Sequence, residues 1–217
     1  MIIEQVFVIG TGRCGTTTFK QACTHIKNFT CAHESRVNQL GEERLNYPKF
    51  HIECDNRLSW FLGRLENQFD QNKVLYIHLL RDEHQVSESY KKRFINGLIM
   101  PAYTSGIYID LPKHIEPFKL AIAKDYVKTV KHNINSFLKD KPNQMTIDIN
   151  NPKQSFIQFW QKVDANGDQK LALQELAKRF NYSGSWQKRT EENNLLIRMF
   201  HKVRRIIIKF PGFLRNA

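Results

Sequence analysis

The apolar tetrad Val6-Phe-Val-Ile9 runs directly into Gly10-Thr-Gly-Arg-Cys-Gly-Thr-Thr17, and this junction restricts the fold more than any other stretch of the chain. A short buried strand that ends in closely spaced glycines and re-enters helical sequence at Thr16 to His25 predicts strand, glycine loop and helix in succession. Phe29 to Ala32 and Lys73 to Leu80 read as further buried strands, each followed by polar, helix-starting sequence, and Gln144 to Ile149 reads as a fourth. Such alternation predicts an α/β fold of three layers, a central parallel sheet flanked by helices. Phe118, Ile122, Tyr126, Val130, Ile134 and Phe137 recur at three- or four-residue intervals, which is one face of a long helix. Ser155 to Val163 and Leu171 to Phe180 read as short helices, and Asn193 to Phe210 as a basic terminal one. At 217 residues and 41% hydrophobic content, one core can bury roughly 70% of the unfolded surface. A single domain over 1–217, with a basic tail at about 193–217, is the expectation.

The glycine loop fits three templates that imply different ligands. As GxGxxG (Gly10, Gly12, Gly15) it is a dinucleotide-binding turn, with Glu34, 19 residues past Gly15, as the ribose-binding acid. As GxxxxGK[ST] it is a triphosphatase loop, but Thr16 stands where the phosphate-binding lysine belongs, and that lysine holds the β- and γ-phosphates. The third template has a cation before the last glycine and hydroxyls after it, as in Arg13-Cys14-Gly15-Thr16-Thr17. A 5′-phosphosulfate carries less charge than a triphosphate, so one cation, the amides of a helix N-terminus and two hydroxyls suit it without metal.

On these residues the chain resembles the sulfotransferase family, whose loop reads roughly basic-Ser-Gly-Thr-Thr after a first strand. Arg13 stands where many members have lysine, and Cys14 replaces the usual serine. The resemblance has a second anchor. The strand Lys73 to Leu80 runs into Arg81, and Ser89 follows eight residues later, matching the family's 3′-phosphate motif. An arginine at a strand's carboxyl end, faced by a serine about two helical turns on, makes a cationic, hydrogen-bonding grip. The resemblance implies a P-loop-like fold and an enzyme that takes 3′-phosphoadenosine 5′-phosphosulfate (PAPS) as donor. It places Arg13, Cys14, Gly15, Thr16 and Thr17 on the phosphosulfate and Arg81 and Ser89 on the 3′-phosphate. Lys188, in the loosely matching Gln187-Lys188-Arg189, is the further donor-binding residue it suggests.

An acceptor hydroxyl or amine must lose its proton as it attacks sulfur, so a base belongs near Arg13. Ala32-His33-Glu34-Ser35-Arg36 follows the second predicted strand, and Glu34 is preferred, with His33 beside it; a structural ion pair of Glu34 with Arg36 competes with that role. Asp55 or Asn56 is expected to cap the helix that follows, with contact of Asp55 to a substrate as the alternative. Asp164 to Glu175 matches a calcium loop at positions 1, 3, 5, 8 and 12, but Gln169 replaces the glycine of position 6. A polar turn between two helices, with Asp168 near the second helix start, is expected there.

The net charge of +12 points to an anionic partner without choosing among nucleic acid, an acidic membrane surface and a phosphorylated small molecule, and Asn193 to Ala217 supplies half of it with six Arg or Lys and no acid. Cations interleaved with Phe200, Ile206, Phe210 and Phe213 suit a terminal helix packed on the core with a solvated basic edge or, as the alternative, contact with an acidic membrane surface. No motif for nucleic acid with stacked aromatics stands out. The chain opens directly on a strand without a leader-like segment, and Cys14, Cys23, Cys31 and Cys54 lack a zinc or disulfide pattern. Reduced thiols and a cytoplasmic protein are expected. The acceptor, whether carbohydrate, lipid or small molecule, depends on variable loops such as Leu40 to Asp55 and Asn96 to Pro112. The rival readings are a dinucleotide-binding oxidoreductase and a non-enzymatic anion- or membrane-surface-binding module.

Overall fold

The computed structural model describes residues 2–108 and 116–178. Five strands, β1 (Gln5–Ile9), β2 (Thr30–His33), β3 (His51–Cys54), β4 (Val74–Leu80) and β5 (Gln144–Asp148), form one sheet in the order β2-β3-β1-β4-β5. Every neighbouring pair is parallel. Seven α-helices connect and cover them among the described residues: α1 (Thr16–Cys23), α2 (Leu62–Gln68), α3 (Glu83–Lys92), α4 (Ile99–Ala102), α5 (Lys119–Leu138), α6 (Lys153–Lys162) and α7 (Gln169–Ala177).

Strand side chains alternate between faces, so each buried strand feeds two cores. Val6 and Val8 of β1, with Leu75, Ile77 and Leu79 of β4, pack against Phe19 of α1 and against Phe156, Phe159 and Trp160 of α6. Phe7 and Ile9, with Val74 and Tyr76, meet Val86 and Tyr90 of α3 and Tyr126, Val130 and Ile134 of α5. The periodic stripe expected on the long helix is the buried face of α5, whose first expected member, Phe118, lies just outside it and is exposed. Phe19 is fully buried between rings of Phe156 and Phe159; cutting such a side chain back to alanine costs about 3–5 kcal/mol.

Sequence expectations change on the β2 side of the sheet, and the stretch Asn96 to Pro112, expected to be a variable loop, carries the helical residues Ile99–Ala102 and Tyr103–Ile107. β2 begins and ends one residue later than Phe29 to Ala32, which brings His33 into the sheet opposite Cys54. His51–Cys54, inside the stretch Leu40 to Asp55 expected to be a variable loop, is instead a strand lying between β2 and β1. Its four residues, His-Ile-Glu-Cys, alternate polar His and Glu with apolar Ile and Cys and form no apolar run, so a search for continuous apolar strands passes over it.

The calcium-like segment is a structural turn. Asp168 caps α7 by accepting from the Leu171 amide at 2.9 Å. The Lys27 amide donates to the Asn166 carbonyl at 2.6 Å and the Asp168 amide to the His25 carbonyl at 3.1 Å. A side chain on Gly167 would come 2.0 Å from that His25 carbonyl, so only glycine fits. Among the described residues no group of three or more His, Cys, Asp or Glu is arranged to hold a metal ion. No helix among them is long and apolar enough to cross a membrane.

Candidate functional site

β1 lies between β3 and β4, with α1 on one face of the sheet and α3 and α5 on the other, so the sheet reverses its winding between β1 and β4. Open α/β sheets take ligands outside the carboxyl ends of the strands at such a reversal. The glycine loop leaves β1 there and Arg81 leaves β4 there.

The loop is held from beneath by side chains of other elements. The Tyr90 and Tyr126 hydroxyls both donate to the Thr11 carbonyl, at 2.7 and 3.0 Å, and the Ser59 hydroxyl donates to the Gly10 carbonyl at 3.0 Å. Gly12 adopts φ +76°, and a Cβ there would come 2.3 Å from the Tyr90 hydroxyl oxygen. Gly15 adopts φ +96°, and a Cβ there would meet Ile149 at 2.6 Å. Both glycines are therefore required by close approach as well as by backbone angle. Gly15 precedes α1 without a side-chain cap, so the first amides of α1 have no intrahelical acceptor and form a natural seat for an anion. Cys14 faces inward and burial pushes its thiol up to about 11, so only its backbone can meet a ligand.

Arg13 joins the two sequence motifs. Its own backbone is left-handed (φ 56°), a conformation that costs a non-glycine residue roughly 1–3 kcal/mol. Its Nε donates to Ser89 Oγ at 3.0 Å, and Arg81 Nη1 donates to the Arg13 carbonyl at 3.2 Å. Arg81 Nε donates to Gln85 at 3.1 Å. Burial, then the nearby Arg93 and Arg81 guanidiniums, hold Arg13 below the usual arginine range. Crowded cations of this kind repel one another, and a bound anion relieves that repulsion.

The carboxyl end of β2 supplies the other wall. His33 Nε2 lies 3.0 Å from Thr16 Oγ1 and 3.5 Å from Thr17 Oγ1, so the histidine touches both loop hydroxyls. Glu34 has φ 50°, and its carboxylate pairs with Arg57 at 2.6 Å. The expected ionic alternative, Arg36, pairs with Glu43 instead. Arg57 also donates to the Gly97 carbonyl at 3.0 Å, which ties Glu34 to the segment leading into α4. Asp55 is fully buried, accepting from the Arg57 amide at 2.7 Å and from Arg44 at 2.6 Å. It caps the turn Asn56–Trp60 and has no free face for a substrate.

Arg13, Gly15, Thr16, Thr17, Arg81, Ser89, His33 and Glu34 thus gather at the carboxyl edge of the sheet; Lys188 and the basic tail lie outside the described residues. Tyr90, Tyr126, Ser59 and Arg57 were not foreseen as site residues. Tyr90 follows Ser89 directly, which is a local signal, whereas Tyr126 reaches the loop across 115 residues and leaves no signal in sequence.

Neither protein-family models nor curated protein sequences match the chain. Among solved structures it is similar to the sulfotransferase domain from the curacin biosynthetic pathway, with a TM-score of 0.57 and 13% sequence identity, over 85% of this chain and 81% of that one. At that identity the likeness bears on architecture alone, and the chain has a sulfotransferase-like α/β fold.

Proposed function

We propose that the chain is a sulfotransferase that takes PAPS as donor and passes its sulfuryl group to a hydroxyl or amine. The observation that carries this reading is the hydrogen bond from Arg13 to Ser89, with Arg81 on the Arg13 carbonyl, because it merges two motifs 68 or more residues apart into one cationic cleft. In this reading the amides of Gly15, Thr16 and Thr17, the two hydroxyls and Arg13 hold the phosphosulfate. Arg81 and Ser89 hold the 3′-phosphate that separates this donor from ordinary adenine nucleotides. Two arginines supply the countercharge, so no metal is needed. The acceptor oxygen or nitrogen bonds to sulfur, the bond from sulfur to the bridging oxygen breaks, and the bisphosphate leaves. The acceptor's proton passes to Glu34, the proposed base, with His33 as the alternative on the donor side.

The dinucleotide-binding alternative fits less well. In that arrangement the acid follows the strand paired with β1, but here the strand paired with β1 on that side is β3, and Glu34 follows β2. Its acid, Glu34, is paired with Arg57. Calorimetry with 3′-phosphoadenosine 5′-phosphate, 5′-AMP, NADH and ATP tests the choice: selective binding of the bisphosphate is expected, and equal binding of 5′-AMP would overturn the 3′-phosphate assignment.

A further inference from the structure

Behind the wall formed by β2 lies a buried carboxylate that the site does not use. Glu53, inside β3, has no exposed surface, and its carboxylate is bonded to Ser35, beyond the carboxyl end of β2, and to His51, at the start of β3. Its Oε1 accepts from the Ser35 amide at 2.8 Å and its Oε2 from the Ser35 hydroxyl at 2.6 Å. His51 Nε2 lies 3.0 Å from the same Oε2, and His51 Nδ1 lies 2.7 Å from Thr30 Oγ1. Tyr47 stacks on the His51 ring at 5.7 Å. Despite burial, the bonds from His51 and Ser35 hold the Glu53 carboxyl below its ordinary range, so the acceptor is an ion.

A buried ion is rarely the best choice for stability alone, since an apolar residue of similar volume commonly does as well. Here the carboxylate grips both donors of one residue, Ser35, the first after Glu34. The Glu34 amide is fixed too, donating to the Cys54 carbonyl at 3.2 Å. Between these anchors Glu34 is left-handed, a conformation a glutamate adopts only when its surroundings impose it. The turn separates two neighbours in direction: His33 goes to Thr16 and Thr17, and Glu34 goes to Arg57.

We infer that Glu53, braced by His51, is a positioning residue that clamps Ser35 and thereby aims Glu34 at the acceptor side of the cleft. The role of Glu34 in this statement rests on the sulfotransferase reading; the clamp itself does not. The clamp explains why a strand as short as β3 carries His51 and Glu53 on the same face.

The test uses the full chain with ¹³C-carboxyl-labelled glutamate, the Glu34 resonance being assigned from Glu34→Gln. Ser35→Ala and Glu53→Gln are expected to move the Glu34 carboxyl resonance toward those of exposed glutamates such as Glu42. Ser35→Thr, which keeps both donors, is expected to retain the wild-type position. Because Arg13 and Arg81 are untouched, affinity for 3′-phosphoadenosine 5′-phosphate should stay within about threefold, as expected for sites without shared partners. An unmoved Glu34 resonance in Ser35→Ala would overturn the clamp even if that variant melted earlier. Ser35 is at the surface, so its variants remain informative should Glu53→Gln fail to fold. Failure of the wild type to bind the bisphosphate would instead count against the sulfotransferase reading and leave the resonance result standing.

Discussion

The two walls of the cleft are built in opposite ways. On the β1 and β4 side, Arg13, Arg81 and Ser89 are partly exposed side chains at strand ends and on the next helix, joined by direct contacts. On the β2 side, Glu34 is flanked by residues that buried carboxylates hold: Glu53 bonds Ser35, and Asp55 accepts from the amide of Arg57, which pairs with Glu34. The cationic wall suits holding an anion, which needs charge and donors but tolerates some freedom. The acidic wall suits moving a proton, which depends on orientation within a few tenths of an ångström. Charge can be supplied by surface residues, whereas direction has to be imposed from the interior.

The sharpest way to break this contrast is to alter the acidic wall and ask whether the cationic one notices. Glu34→Gln is expected to slow sulfation of a confirmed acceptor by on the order of 10² to 10⁴ while bisphosphate affinity, read by calorimetry, changes only a few-fold. Full turnover in Glu34→Gln together with loss in His33→Ala would transfer the base to His33. Such a result would also place the proton step on the donor side, against Thr16 and Thr17.

A second prediction separates the site from stability at large. His78, 2% exposed in β4 on the α5 face, has an Nε2 without a partner, and burial pulls its pKa from 6.5 down to about 4. A histidine depressed in the folded state costs stability as pH falls, because the unfolded chain takes up a proton first. The loss begins near pH 6.5, is complete near pH 4, and amounts to about 3 kcal/mol. Denaturant melts of His78→Phe across that range should show a flatter profile than wild type. Bisphosphate affinity at neutral pH should be the same in both.

On the cationic wall, Arg81→Ala is expected to weaken bisphosphate binding by about 1.5–3 kcal/mol, the scale of a charged hydrogen bond, and to leave 5′-AMP nearly unaffected. Equal losses for both ligands in titration calorimetry would show that Arg81 does not read the 3′-phosphate. The smallest expected effect is that of magnesium. Thermal shifts produced by the bisphosphate should be the same with magnesium or with a chelator, since Arg13 and Arg81 provide the countercharge.

Sequence alone determined the parallel α/β architecture, because buried parallel strands are continuous apolar runs and the α5 stripe repeats with helical period. It also determined the glycine loop and the Arg81 and Ser89 pair, whose spacing of eight residues is local and is preserved by any strand followed by a helix. Tertiary structure decided the rest. β3 was invisible because its inward positions hold His51 and Glu53, which satisfy each other and Ser35 rather than forming an apolar run. The local ionic alternative for Glu34 was Arg36, two residues away; the partner it takes is Arg57, which only the fold brings to it across 23 residues. Tyr126 is likewise delivered to the Thr11 carbonyl by α5 packing on the sheet. Local spacing fixes what a strand and its own helix present together; contacts between separate elements depend on strand order, which the closing of the two cores selects.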